Sequence, residues 1–140
     1  MRFWDSSAIV PTFLDEPHSP VVRALLAEEP RPAVWWVTPV ECLGAIGRRE
    51  RAGALAGEDV SRALASLAEL EEAWVECPPS ERVRAAARRI VRTHDIRTAD
   101  AMQIAAATVL SDGEPASLPL VTLDERLALA ARREGFPVLP

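Results

Sequence analysis

With 140 residues, 49% of them apolar, and a formal net charge of −5, the chain has the size and composition of one domain spanning residues 1–140 with a proper core. All 16 of its cations are arginine, which removes Schiff-base and P-loop-lysine chemistry, and the acidic balance argues against an indiscriminate grip on nucleic acid. No apolar run reaches the roughly 18 to 20 residues of a membrane span, and MRFWDSS leads into a strand without a signal-peptide pattern, so a cytoplasmic location is expected.

Residues 2–5 read as a short strand, followed by helical segments over about 6–14 and 20–28, the second opened by Ser19 and Pro20. The proline-rich EEPRPA ends that helix. AVWWV is a continuous apolar run of the kind that suits a strand covered on both faces. A helix is predicted from Thr38 to about Arg51, where Gly53 stops it, and another over about 58–72, with a brief strand over 74–76. PPSERVRAAARRIVRTHD has the proline, serine cap and spacing of a helix, with Val83, Ala87, Ile90 and Val91 on its inner stripe. A further helix runs from about Ala99 to Leu110, then SDGEPASLP forms a polar loop. PLVT reads as a strand, DERLALAARREG as a helix and FPVL as a last strand. Cys42 and Cys77 lie far apart and lack paired zinc spacing, so both read as core thiols.

Strands alternating with helices predict a parallel α/β architecture. A parallel sheet gathers whatever follows the carboxyl ends of its strands into one crevice. Asp5 and Asp124 directly follow predicted strands, and Glu41 follows AVWWV by a few residues. Asp100 follows a helix instead, so its convergence with the others is inferred. Acids crowded together repel one another unless a divalent cation neutralises them, which points to Mg²⁺ or Mn²⁺. Each acid also has a local explanation. Thr38 to Glu41 and Thr122 to Glu125 both match the T-x-x-E capping box, Asp5 suits an N-cap, and Asp100 and Asp124 suit the positive end of a helix.

The other polar and aromatic residues divide in the same way. Arg48, Arg49 and Arg51 favour a helix C-terminus with or without a ligand, and Arg84, Arg88 and Arg92 form a charged stripe of the solvated kind. Arg97, just before the Asp100 helix, is better placed to meet a phosphate. Trp4, Trp35, Trp36 and Trp74 all fall in predicted strands, where core or dimer packing is favoured over stacking on bases. His18 and His94 lie outside every acidic motif.

The stretches FWDSSAIVPTFLDEP, TPVE, RTADAMQIAAATV and LVTLDERLALAA followed by GFPVLP resemble, in order, the motifs of PIN-domain nucleases, and within that family they look most like the VapC toxins of toxin-antitoxin pairs. The likeness runs from residue 3 to residue 140. It implies a three-layer α/β/α sandwich with a mainly parallel sheet, and acids that bind Mg²⁺ or Mn²⁺ and cleave RNA, leaving 5′-phosphate and 3′-hydroxyl ends. Asp5, Glu41 and Asp100 match the three core acids and Asp124 the more variable fourth, while Thr122 matches the hydroxyl residue two positions before it. Ser6, Thr122 and Arg97 are candidates for positioning substrate or water. The resemblance also implies a VapB-like antitoxin, which apolar Val21, Val22, Leu25 and Leu26 could receive, and a homodimer. Where relatives commonly carry a lysine soon after the first acid, this chain has Pro11. A housekeeping PIN nuclease and a catalytically silent binding module remain as alternatives. A phosphoacceptor receiver domain also clusters acids, but lacks its lysine here.

Overall fold

The strands are short and mostly apolar, as segments covered on both faces must be. In the computed structural model, which describes residues 1–140, they are β1 (Phe3–Trp4), β2 (Ala33–Trp35), β3 (Val75–Cys77), β4 (Leu120–Val121) and β5 (Val138–Leu139). All neighbours pair in parallel, in the order β3-β2-β1-β4-β5. The helices are α1 (Ser6–Phe13), α2 (Ser19–Glu28), α3 (Thr38–Arg51), α4 (Glu58–Ala73), α5 (Glu81–Thr93), α6 (Thr98–Leu110) and α7 (Glu125–Arg133), with a 3₁₀ turn at Pro115–Ser117. None is long and apolar enough to cross a membrane.

Successive strand side chains face opposite sides of the sheet, and the core divides accordingly. Phe3, Ala33, Trp35 and Leu120 pack with residues of α5, α6 and α7. Trp4, Val34 and Val121 pack with residues of α1 to α4. The result is the expected three-layer α/β/α sandwich. Its two helical layers follow from one handedness rule: crossovers between parallel strands are right-handed almost without exception. Steps from β1 to β2 to β3 run one way along the sheet and place α1 to α4 on one face. The return from β3 to β4 and on to β5 runs the other way and places α5 to α7 on the opposite face. The order therefore switches between β1 and β4, and a crevice opens beyond their carboxyl ends.

Several sequence expectations change in detail. AVWWV is a strand only to Trp35; Trp36 donates its N–H to Cys77 O at 3.1 Å, then the chain turns into α3 and leaves that indole 53% exposed. Trp74 caps the end of α4, and β3 begins one residue later. On α5 the buried stripe is Val83, Ala87 and Ile90, while Val91 lies one residue further round the helix and faces out. On α2, Val22 is fully buried and only Val21 among the expected apolar residues is exposed. Both cysteines are buried core thiols; burial pushes Cys42 up to about 12 and raises Cys77.

Candidate active site

Asp5 leaves the end of β1 at the switch point. Its N–H donates to Val121 O at 3.0 Å, so the backbone of β4 fixes where the side chain starts. It is the N-cap of α1, accepting the Ser7 N–H at 3.3 Å, and its Oδ2 also takes the hydroxyls of Ser7 at 2.5 Å and Thr122 at 3.0 Å. Every hydrogen bond to this carboxylate falls on Oδ2, which leaves Oδ1 without a protein donor. The hydroxyls are themselves anchored. Ser7 Oγ accepts Leu123 N–H at 3.0 Å and Thr122 Oγ1 accepts Asp124 N–H at 3.1 Å, tying the β1 and β4 ends together.

Glu41 sits in the first turn of α3 but caps nothing. Val37, already helical in backbone, stands at the N-cap without a side-chain bond, and the Thr38 hydroxyl is buried with no partner. The T-x-x-E pattern there is not a capping box. Glu41 instead accepts the Gln103 amide at 2.7 Å on Oε2. Gln103, one turn after Asp100 on α6, is 1% exposed, and its own Oε1 is buried without a partner. Asp124 is the true N-cap of α7, accepting Leu127 N–H at 2.9 Å, so the second T-x-x-E pattern is also not a capping box.

Asp100 lies in the first turn of α6 and is 8% exposed. Arg97 joins it to Asp124, with Nε donating to Asp100 Oδ2 and Nη2 to Asp124 Oδ2, both at 3.1 Å. Burial, with like charge added, raises two of the acids. Burial pushes the Asp5 carboxyl up despite the Ser7 and Thr122 hydroxyls, and the Asp100 charge adds to the rise. Burial likewise raises Glu41, opposed by Ser6 and Gln103 and reinforced by the charges of Asp5 and Asp100. Arg97 is pushed upward, by its hydrogen bond to Asp100 first and by the charges of Asp100, Asp124 and Asp5.

The structure thus brings Asp5, Glu41 and Asp100 within electrostatic reach of one another, with Asp124 held at the rim through Arg97. Ser6 stands on the Glu41 side and Thr122 on the Asp5 side. Ser7 and Gln103 belong to the same cluster and were not singled out from sequence. The signal for Ser7 was its place two residues after a capping aspartate. For Gln103 it was a lone amide in the apolar run AMQIAAA.

A hard divalent cation prefers carboxylate oxygens, and this donor set is of that kind. The gathering of three acids in one crevice, an open Oδ1 on Asp5 and the orphaned Gln103 Oε1 all fit a hydrated Mg²⁺ or Mn²⁺. No three acid, histidine or cysteine side chains already stand in metal-holding geometry. They are turned into hydrogen bonds with Ser7, Thr122, Gln103 and Arg97, and a cation would have to draw them together.

Fold and site define an α/β protein that concentrates anions beyond the carboxyl edge of a parallel sheet. The model of the PIN domain family matches residues 2–133, and the chain belongs to the PIN-domain family. PIN domains are generally metal-dependent nucleases. Among solved structures, the chain is similar to FitAcB from Neisseria gonorrhoeae, with a TM-score of 0.67 at 20% identity, covering 100% of this chain and 97% of the other. No curated protein matches the chain.

Proposed function

We propose that the chain is a Mg²⁺- or Mn²⁺-dependent endoribonuclease, acting in the cytoplasm as the toxin of a toxin-antitoxin pair, with residues 1–140 as its single domain. The observation that carries the nuclease reading is the convergence of Asp5, Glu41 and Asp100, three acids delivered by three different elements to one crevice, where burial and then like charge raise Asp5 and Glu41. When bound, a divalent ion supplies a water that is nucleophilic near neutral pH and neutralises charge on the leaving oxygen. Asp5 and Asp100 would be the principal ligands, and Asp5 has an Oδ1 that Ser7 and Thr122 leave open. Glu41, held by Gln103, would orient that water and receive its proton. A hollow of about 480 Å³ lined by His18, Thr122, Asp124 and Arg132 adjoins the acids and gives a polynucleotide room to continue past the cleaved bond.

Single-stranded RNA incubated with Mn²⁺ should be cut by the wild type, leaving 5′-phosphate ends, and left whole by Asp5→Asn, whose circular dichroism should show the fold intact. Equal cleavage by the variant sinks the assignment. Absence of any heat on Mn²⁺ titration favours the silent binding module instead.

The toxin reading is supported by the VapC-like motifs. Growth arrest on expression, relieved by Asp100→Asn, tests it against a housekeeping nuclease, for which arrest is not expected. Burial of Val22 narrows the apolar face of α2, so a hollow of about 460 Å³ lined by Phe13, Leu14, Arg49, Leu55 and Ala63 is the better seat for an antitoxin helix. Homodimerisation is supported by Val40 and Leu43 on α3, 66% and 48% exposed, with Trp36, 53% exposed, in the turn just ahead of that helix. Light scattering should show Leu43→Glu as a monomer where the wild type is a dimer; a monomeric wild type refutes the dimer.

A further inference from the structure

Asp124 is held differently from the other acids. Its Oδ1 caps α7 through Leu127 N–H at 2.9 Å, and its Oδ2 accepts Arg97 Nη2 at 3.1 Å, so both oxygens are committed. The same guanidinium donates through Nε to Asp100 Oδ2 at 3.1 Å. Oδ1 of Asp100 and Oδ1 of Asp5 accept no hydrogen bond. One cation therefore spans Asp100 and Asp124, while the open oxygens are Oδ1 of Asp5 and Oδ1 of Asp100.

We infer that Arg97 takes the place of a second divalent ion, holding Asp100 and Asp124 together and confining metal to the inner side formed by Asp5, Glu41 and Asp100. This rests on the metal-nuclease reading given above. A guanidinium is always charged, and its planar fork bridges two carboxylates in a way that a point charge does not. A second metal ion between the same two acids would need their oxygens at about 2.0 to 2.2 Å, with the guanidinium gone. The bridge is also prearranged. Arg97 is the extended residue immediately before α6, three positions from Asp100. Three residues earlier, at the end of α5, His94 Nε2 meets Glu134 Oε1 at 2.6 Å. The Arg97 side chain is 69% exposed, so solvent screens each contact. Removing it should therefore leave the fold intact while opening Asp124 Oδ2.

The test is the stoichiometry of Mn²⁺ binding to the full chain, by titration calorimetry and by the relaxation of solvent protons, with thermal unfolding of the metal-free proteins alongside. Wild type should bind one ion per chain. Arg97→Met and Arg97→Gln should each bind two, and Arg97→Met/Asp124→Asn should return to one. Two ions in the wild type overturn the inference. So does one ion of unchanged affinity in both Arg97 variants, which leaves the metal reading standing. No binding by wild type or variants overturns the inference together with the metal reading.

Discussion

Gln103 is the residue whose chemistry reaches furthest beyond its appearance. An amide that is 1% exposed needs its polar atoms partnered, since an unpaired buried group costs about 1–3 kcal/mol. Here only Nε2 is satisfied, by Glu41 Oε2 at 2.7 Å, and Oε1 has no protein partner. The residue thus spends stability to hold Glu41, which itself is raised chiefly by burial. Replacing Gln103 by Leu removes the buried orphan oxygen but also the donor to Glu41 Oε2, so the two effects offset and stability should change little. Groups that orient ligands typically change activity by roughly 10–100-fold. Cleavage of RNA by Gln103→Leu should fall within that range while its unfolding temperature holds; a matched loss of both would mark Gln103 as structural only. Nothing in a single sequence separates this amide from a tolerated polar residue, because its partner lies 62 positions away. Asp5 was easier to place, since its position at a strand end and its Asp-Ser-Ser surroundings pointed the same way. Thr38 misled for a related reason: the capping pattern was present, but the helical backbone of Val37 moved the cap one residue earlier.

Helix ends decide how the elements carry these residues. Ser80 caps α5 as its sequence predicts, accepting Val83 N–H at 3.2 Å. At the other end of α5, Arg89 makes two hydrogen bonds to Glu134 at the end of α7, at 2.9 and 2.5 Å, and His94 adds a third contact at 2.6 Å. The Arg89 hydrogen bonds, with help from His94, hold the Glu134 carboxyl below its usual range. A lowered carboxylate contributes stability above its unfolded pKa, and that contribution is lost as pH falls through the folded value. Glu134→Gln should therefore be less stable near neutrality by about 1 kcal/mol, because Arg89 is half exposed and screened. That is roughly 4 °C in melting temperature. Thermal melts at neutral and strongly acidic pH should show the gap between wild type and variant closing on acidification. A gap constant with pH would assign the effect to packing. This clamp was invisible in the sequence because it joins positions 45 apart in helices whose mutual packing was unknown. The helices themselves were legible from caps and periodicity, whereas strands of two or three residues are too short to show a period.

At the scale of the whole molecule, strand order is what turns scattered acids into one site. The alternation of strands and helices was readable, and with it the three-layer class. Position along the sheet was not: Asp100 follows α5 without an intervening strand, and only the packing of α6 across the sheet brings it toward Asp5. The fold thus assembles like charges that it would be more stable without. Asp5 and Glu41 are both raised carboxyls, each through burial first. Such groups contribute stability below their unfolded pKa and lose it as pH rises through the folded value. The metal-free protein should consequently be strained most near neutrality, where these acids are ionised, and relieved most there by a divalent ion. Binding at a hundredfold excess over Kd stabilises by about 2.7 kcal/mol, or roughly 10 °C for a chain of this size. A melt in Mn²⁺ should show a rise of that order at neutral pH, a smaller rise in mild acid and none in Asp5→Asn. Sodium chloride at matched ionic strength is the control, because screening of surface charge needs no ligand. If salt alone reproduces the shift, or Asp5→Asn keeps it, the acids of this crevice do not bind the metal.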